Sequence, residues 1–264
     1  MSYIDFHTHA FPDKLAASTI PALEKEGNVT AALDGTLTAL LESMDRAEID
    51  ISVLCNIATR PEQFDSILSW CHKKRSDRII PFPSFHPEST SALQQINEIH
   101  ACGFKGVKMH PFYQRFYLNE DRLSPFFAKI EELGLILIMH TGYDIGFPKE
   151  RRADPAQILA ITRKFPDLKF IATHLGAWDQ WEEVQEILAG GNVYMDIAFS
   201  LEFMEPQKAK EIIEAHPDDK ILFGSDSPWS DQLETIHLLK KLGLGEKKEM
   251  AILRGNAEKL LNSY

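Results

Sequence analysis

At 264 residues and 30.0 kDa the chain matches the size of one α/β barrel, for which roughly 250 residues is typical. Hydrophobic residues are 44% and charged residues 25%, and no apolar run approaches the roughly 20 residues of a membrane span, which excludes fibrous, disordered and membrane-embedded classes. A formal charge of -11 and a pI near 5.4 count against broad attraction to nucleic acid, which needs a basic face.

Short β-rich apolar runs alternate with segments of helical periodicity from end to end, as parallel strands joined by crossover helices require. Eight runs are predicted as strands: residues 3–7, 51–55, 79–84, 104–109, 135–140, 169–174, 193–196 and 221–226. Residues 10–35, after the first run, form the longest irregular stretch and are expected to lie as a lid over a barrel mouth. Leu37, Leu40, Leu41 and Met44 keep one helical face, as do Ile158, Ile161 and Phe165. Thr36, Asp121, Asp154 and Ser230 are predicted helix starts. Residues 246–261 read as an additional helix ending near Asn262.

Eight such units predict a single (β/α)8 barrel, a TIM barrel, as one domain over residues 1–264 with an extra C-terminal helix. No GxGxxG turn follows the first run, which argues against a dinucleotide-binding open sheet. Cys55, Cys71 and Cys102 are odd in number and not spaced as a metal knuckle, so they read as reduced thiols. Met1-Ser2-Tyr3 leads straight into the first run with no signal-peptide pattern, and a cytoplasmic protein is expected.

Barrel enzymes keep their catalytic groups at the carboxyl ends of the strands, and metal-type residues collect there. The first run ends His7-Thr8-His9, and period-two geometry turns both imidazoles to one side, where they can approach one cation. The same parity places Asp5 one step deeper, as an acceptor behind the ligands or a partner for Lys108. The fifth, sixth and eighth runs end in His140, His174 and Asp226. A single His at a strand end is more often a hydrogen-bonded residue than a ligand. Five such groups at the same end of four strands are another matter.

The loops after the strands supply Arg60, His110, Tyr113, Arg115 and Trp229 as substrate contacts, together with Lys108 on the fourth run. Aromatic walls with one or two cations suit a small, flat, carboxylated molecule, with Arg115 as first anion contact and Arg60 as second. Phe11, Phe112, Tyr143, Trp178 and Phe199 are further wall candidates. His86 is a weaker candidate, and His72, His100, His216 and His237 read as structural or exposed.

The sequence resembles the amidohydrolase superfamily, and within it the branch that groups small metal-dependent hydrolases with aminocarboxymuconate-semialdehyde decarboxylase. The resemblance spans nearly the whole chain. It rests on Asp5-Phe6-His7-Thr8-His9, the stretch from Gly103 to Pro111, His140-Thr141-Gly142, His174-Leu175-Gly176, the stretch from Gly224 to Trp229, and Gly255-Asn256-Ala257. It implies that His7, His9, His140 and Asp226 hold one divalent metal ion, Zn2+ before Mn2+, Fe2+ or Co2+, and that His174 contacts the water or the substrate. Some relatives carry a carboxylated lysine on strand four. For Lys108 the uncarboxylated form is favoured, since three imidazoles and a carboxylate already complete a mononuclear site.

The expected function is therefore a metal-dependent hydrolase of a small carboxylated amide or lactone, with Asp226 moving the proton and His174 steadying the oxyanion. A non-oxidative decarboxylase on the same site is the rival. A phosphoesterase or nuclease ranks lower, because related deoxyribonucleases place a bridging Glu where Lys108 stands. A catalytically silent binding barrel is opposed by the intact ligand set. The partner expected is a small molecule, without nucleic acid or membrane, and a homodimer is left open.

Overall fold

Every registered strand pair is parallel in the computed structural model, which describes residues 2–263. The strands are β1 (Tyr3–Thr8), β2 (Ile49–Cys55), β3 (Ile79–Phe82), β4 (Gly106–Met109), β5 (Ile136–Met139), β6 (Lys169–Ala172), β7 (Tyr194–Asp196) and β8 (Ile221–Leu222). They form two arcs, β1-β2-β3 and β4-β5-β6-β7-β8. Backbone hydrogen bonds join the arcs into a ring. At one seam the Lys108 amide donates to Pro83 O over 3.0 Å. At the other, Phe6 N donates to Phe223 O and Asp226 N to His7 O, both over 2.8 Å, and His9 N donates to Ser227 O over 2.6 Å. The predicted (β/α)8 barrel is the fold.

The helices alternate with the strands: α1 (Asp13–Gly27), α2 (Leu37–Arg46), α3 (Phe64–Lys74), α4 (Ala92–Ala101), α5 (Ser124–Glu132) and α6 (Pro155–Lys164). Then come α7 (Trp181–Glu183), running into a π turn over Val184–Leu188, α8 (Pro206–Ala215) and α9 (Gln232–Lys241). The extra C-terminal helix is α10 (Glu246–Met250) and α11 (Asn256–Asn262), joined through a π turn over Ala251–Gly255. Thr36 caps α2 by accepting from Ala39 N over 3.1 Å, and Asp154 caps α6 by accepting from Gln157 N over 2.9 Å. Two predicted starts shift. Asp121 opens only a short 3-10 turn, and Asp231 rather than Ser230 caps α9, because its carboxylate accepts from Glu234 N. Among the described residues no helix is long and apolar enough to cross a membrane.

Period two sorts the strand residues into two cores. Ile4, Phe6, Val53, Phe82, Ile138 and Leu222 fill the barrel, while Leu54, Val107, Leu137 and Phe170 pack outward against Ile236, Leu239 and other helix residues. Strands buried on both faces read as continuous apolar runs. Truncating a fully buried ring such as Phe6 to Ala would cost about 3–5 kcal/mol.

The stretch over residues 10–35 is helical for most of its length, contrary to the expectation of an irregular lid. Helix α1 buries only Ala16 and Ile20, a stripe too narrow to give a periodic signal. It does roof the mouth. Its base is tied where Phe11 N donates to Gly35 O over 2.8 Å, and a Cβ on Gly35, at φ +76°, would meet Ile20 Cδ1 at 2.6 Å. Beyond the helix, Ala32 N donates to Pro228 O over 2.7 Å.

Candidate metal centre

The pairing of β1 with β2 shifts register between Asp5 and Thr8, so the parity expected from the sequence breaks there. Asp5 faces the helix layer, where it accepts from Ser225 N, Ser225 Oγ and Gln232 Nε2 at 3.0, 2.6 and 2.8 Å, and from His7 N at 3.1 Å. It fixes the backbone that carries His7. It is neither a partner of Lys108 nor an acceptor for an imidazole. Gly224 leaves the space His7 needs, since a Cβ there would lie 2.9 Å from His7 Cβ.

Each imidazole at the mouth commits one nitrogen to an acceptor. His9 Nδ1 lies 3.0 Å from Cys55 O, His174 Nδ1 2.9 Å from Ala198 O, and His140 Nε2 3.1 Å from Tyr143 O. A carbonyl oxygen only accepts, so those nitrogens carry the protons and the other ring nitrogens present lone pairs. His7 Nδ1 likewise faces Asp196 Oδ2 at 2.9 Å. The bare nitrogens then confront one another: His7 Nε2 and His9 Nε2 at 3.3 Å, His140 Nδ1 and His174 Nε2 at 3.0 Å. Asp226 Oδ1 completes the group, 3.3 Å from His7 Nε2 and 3.2 Å from His9 Nε2.

Facing lone pairs repel unless a positive charge lies among them; the Lys108 ammonium meets that of His7 Nε2 alone, and the ligand atoms of His7, His9 and Asp226 all fall within 4.8 Å of one another. The donor set therefore fits a divalent ion. Burial, reinforced by the Lys108 ammonium and neighbouring imidazoles, holds His7 well below the usual imidazole range. Burial does the same for His140, so neither ring would need to lose a proton to bind a metal. Asp196 is pushed up to about 7 by burial, opposed by the amides of His174 and Ala198. Lys108 Nζ stands 3.0 Å from His7 Nε2.

A pocket surrounds this cluster. Lys108, His110, Tyr113 and Trp229 line it as expected from the sequence, with Tyr143, Trp178 and Phe199 as further walls and Leu23 and Glu26 of α1 as roof. His110 stacks on His140 with ring centroids 4.0 Å apart and 16° between planes, and its Nε2 lies 3.3 Å from Asp144 Oδ2. Two expected contacts are corrected. Arg115 is exposed and outside the pocket, because Gln114 takes the inward place and donates to Ala58 O and Phe85 O, while Arg115 turns out at φ +56°. Arg60 is exposed as well, at the start of the Pro61–Gln63 turn.

Three acids at the site were not singled out from the sequence. Asp196 ends β7 and orients His7, Asp144 lies beside His110 and His140, and Glu26 reaches the pocket from α1. Only Asp196 carried a signal, a carboxylate at the end of a buried strand.

Residues 4–262 match the model of a family described as amidohydrolase. No curated protein matches the sequence significantly. An uncharacterized TIM-barrel protein from Bordetella bronchiseptica superposes with a TM-score of 0.79 at 21% identity, covering 99% of this chain and 98% of its own. A 5-carboxyvanillate decarboxylase from Sphingomonas paucimobilis gives 0.72 at 13% identity, over 98% of both chains. A dihydroxybenzoic acid decarboxylase from Polaromonas, solved with manganese and 2-nitroresorcinol, gives 0.69 at 15% identity, over 98% of this chain and 96% of its own. At these identities the likeness shows the fold.

Proposed function

This chain belongs to the amidohydrolase family and is an enzyme of that superfamily; on that premise we propose that it hydrolyses a small lactone or amide. His7, His9, His140 and Asp226 would hold a divalent ion, which would supply Lewis acidity and lower the pKa of a bound water; zinc suits such donors best, with Mn2+, Fe2+ and Co2+ as alternatives. The carboxylate of Asp226 takes the proton of the attacking water and returns it to the leaving oxygen or nitrogen. With its Nδ1 proton given to Ala198, neutral His174 offers an acceptor at Nε2. It orients the water in that form and steadies an oxyanion once protonated. Tyr113, Tyr143 and Trp178 hold the substrate's plane.

The observation that carries hydrolysis is the charge of the lining. Among the described residues Lys108 is the one Lys or Arg that lines the pocket, while Glu26, Asp144 and Asp226 line it too. With Asp226 taken up by the ion, a decarboxylase must gather a substrate carboxylate beside Glu26 and Asp144 with only Lys108 and the ion to attract it; a lactone or amide need not. Any carboxylate on the substrate falls to Lys108. The second reading, decarboxylation, draws on the fold shared with the two decarboxylases above.

The test incubates zinc-loaded enzyme with carboxylated lactones and amides and, separately, with aromatic and muconate-type acids in 18O-labelled water. Ring opening or amide cleavage with one labelled oxygen in the product is expected. Stoichiometric CO2 without label in the product moves the chain to the lyases.

A further inference from the structure

A second cavity, open to solvent, adjoins the metal pocket between α1 and α3. His9, Phe11, Leu23, Ile57 and Tyr113 line both spaces. Their charge differs sharply. In a chain that is 25% charged, no Asp, Glu, Lys or Arg among the described residues lines the second cavity, whereas the metal pocket has Lys108 and three acids. Its own walls include Leu15, Thr19, Ile67 and Trp70. Leu15 is half exposed, at 50%, although it belongs to the apolar part of the wall.

We propose that this cavity is a substrate subsite that takes an uncharged, largely apolar substituent, while the bond to be cleaved stays among His7, His9 and Asp226. The inference rests on the hydrolase reading for the reacting end of the molecule. The division follows from desolvation. An alkyl or aryl tail gains by leaving water for Leu15, Ile67 and the Trp70 ring, and a charged tail would find no counter-ion there. The substrate class is thus a lactone or amide with a neutral hydrophobic extension.

The experiment measures binding and turnover separately on zinc-loaded protein. Binding is followed by calorimetry with cyclopentanones bearing methyl, butyl and octyl groups, which have no bond to hydrolyse; turnover is followed with γ-lactones bearing the same groups. Full burial of each methylene corresponds to about a fourfold gain. A tenfold or greater fall in Kd from methyl to octyl is expected, with a parallel rise in kcat/KM. Ile67→Trp, which fills the cavity, should abolish the dependence on length, and Ser66→Trp on the same wall serves where that variant fails to fold. A Kd independent of chain length, or a dependence that survives both filling variants, overturns the subsite. Length-dependent binding without lactone or amide turnover leaves the subsite standing and removes the hydrolase reading.

Discussion

The Nε2 atoms of His7 and His9 face each other at 3.3 Å, each ring having turned its Nδ1 toward an acceptor, Asp196 and the Cys55 carbonyl. An arrangement so preset binds a cation without rearranging its ligands.

Elemental analysis should therefore find close to one zinc-like ion per chain, lost in His9→Ala and in Asp226→Ala. His174→Ala should keep most of the metal and lose activity by roughly a hundredfold or more. Metal at a hundred times its Kd should stabilise the fold by about 2.7 kcal/mol, read as a rise in Tm that EDTA reverses. Two tight ions with a carboxylated Lys108 would contradict the single-ion site, and a metal-free His174→Ala would make His174 a ligand.

Asp196 touches no predicted reacting atom and acts through His7. Asp196→Asn leaves the cavity filled but weakens the partner that fixes the His7 ring. Metal affinity should fall 10- to 100-fold with the far-ultraviolet circular dichroism spectrum unchanged. An affinity within twofold of wild type would show that packing alone orients His7.

Burial outweighs four hydrogen bonds at Asp5 and pushes its carboxyl up to about 6 from 3.8. The folded chain then binds this proton more tightly than the unfolded one. The stability Asp5 contributes is full below pH 3.8 and lost as pH rises toward 6, with no further change above. The shift corresponds to roughly 3 kcal/mol. Urea titrations of metal-free wild type and Asp5→Asn between pH 4 and 7 should show their difference moving in favour of the variant as pH rises. A difference that stays constant refutes the account.

With Arg115 and Arg60 turned to solvent, Lys108 is left to meet a substrate anion. Lys108→Met should raise KM for a carboxylated substrate at least tenfold, whereas Arg115→Ala and Arg60→Ala should stay within twofold of wild type. A large KM effect at Arg115 would mean that its loop closes over the bound substrate.

The strands were legible because barrel strands are buried on both sides, as in Ile136–Met139, and write themselves as unbroken apolar runs. The strand-end residues His7, His9, His140, His174 and Asp226 followed from that. Asp5 was misplaced because a register shift cannot be seen in an alternating pattern, and β1 alternates faultlessly as written. Arg115 was misplaced because a loop's path depends on what its neighbours bond, here Gln114 to Ala58 O and Phe85 O, 56 and 29 residues away. Helix α1 escaped because its buried face holds two small contacts, Ala16 and Ile20. Asp144 and Glu26 sit in stretches whose composition says only that they are polar.

The seam between β1 and β8 is also the place where His7, His9 and Asp226 meet. His7 lends its carbonyl to the Asp226 amide, and Asp5 grips Ser225 across 220 residues of chain. The site therefore has no partial version during synthesis. His7 and His9 leave the ribosome long before Asp226 exists, and their strand must wait, apolar and without its neighbour on that side, until the final strand arrives to close the ring. An ion captured early by the His7-Thr8-His9 pair could gain His140 as the chain lengthens, but only the last strand supplies the carboxylate. Acquisition of the metal and closure of the barrel are in this sense one late event, and nascent chains arrested before residue 226 should neither retain zinc nor resist protease.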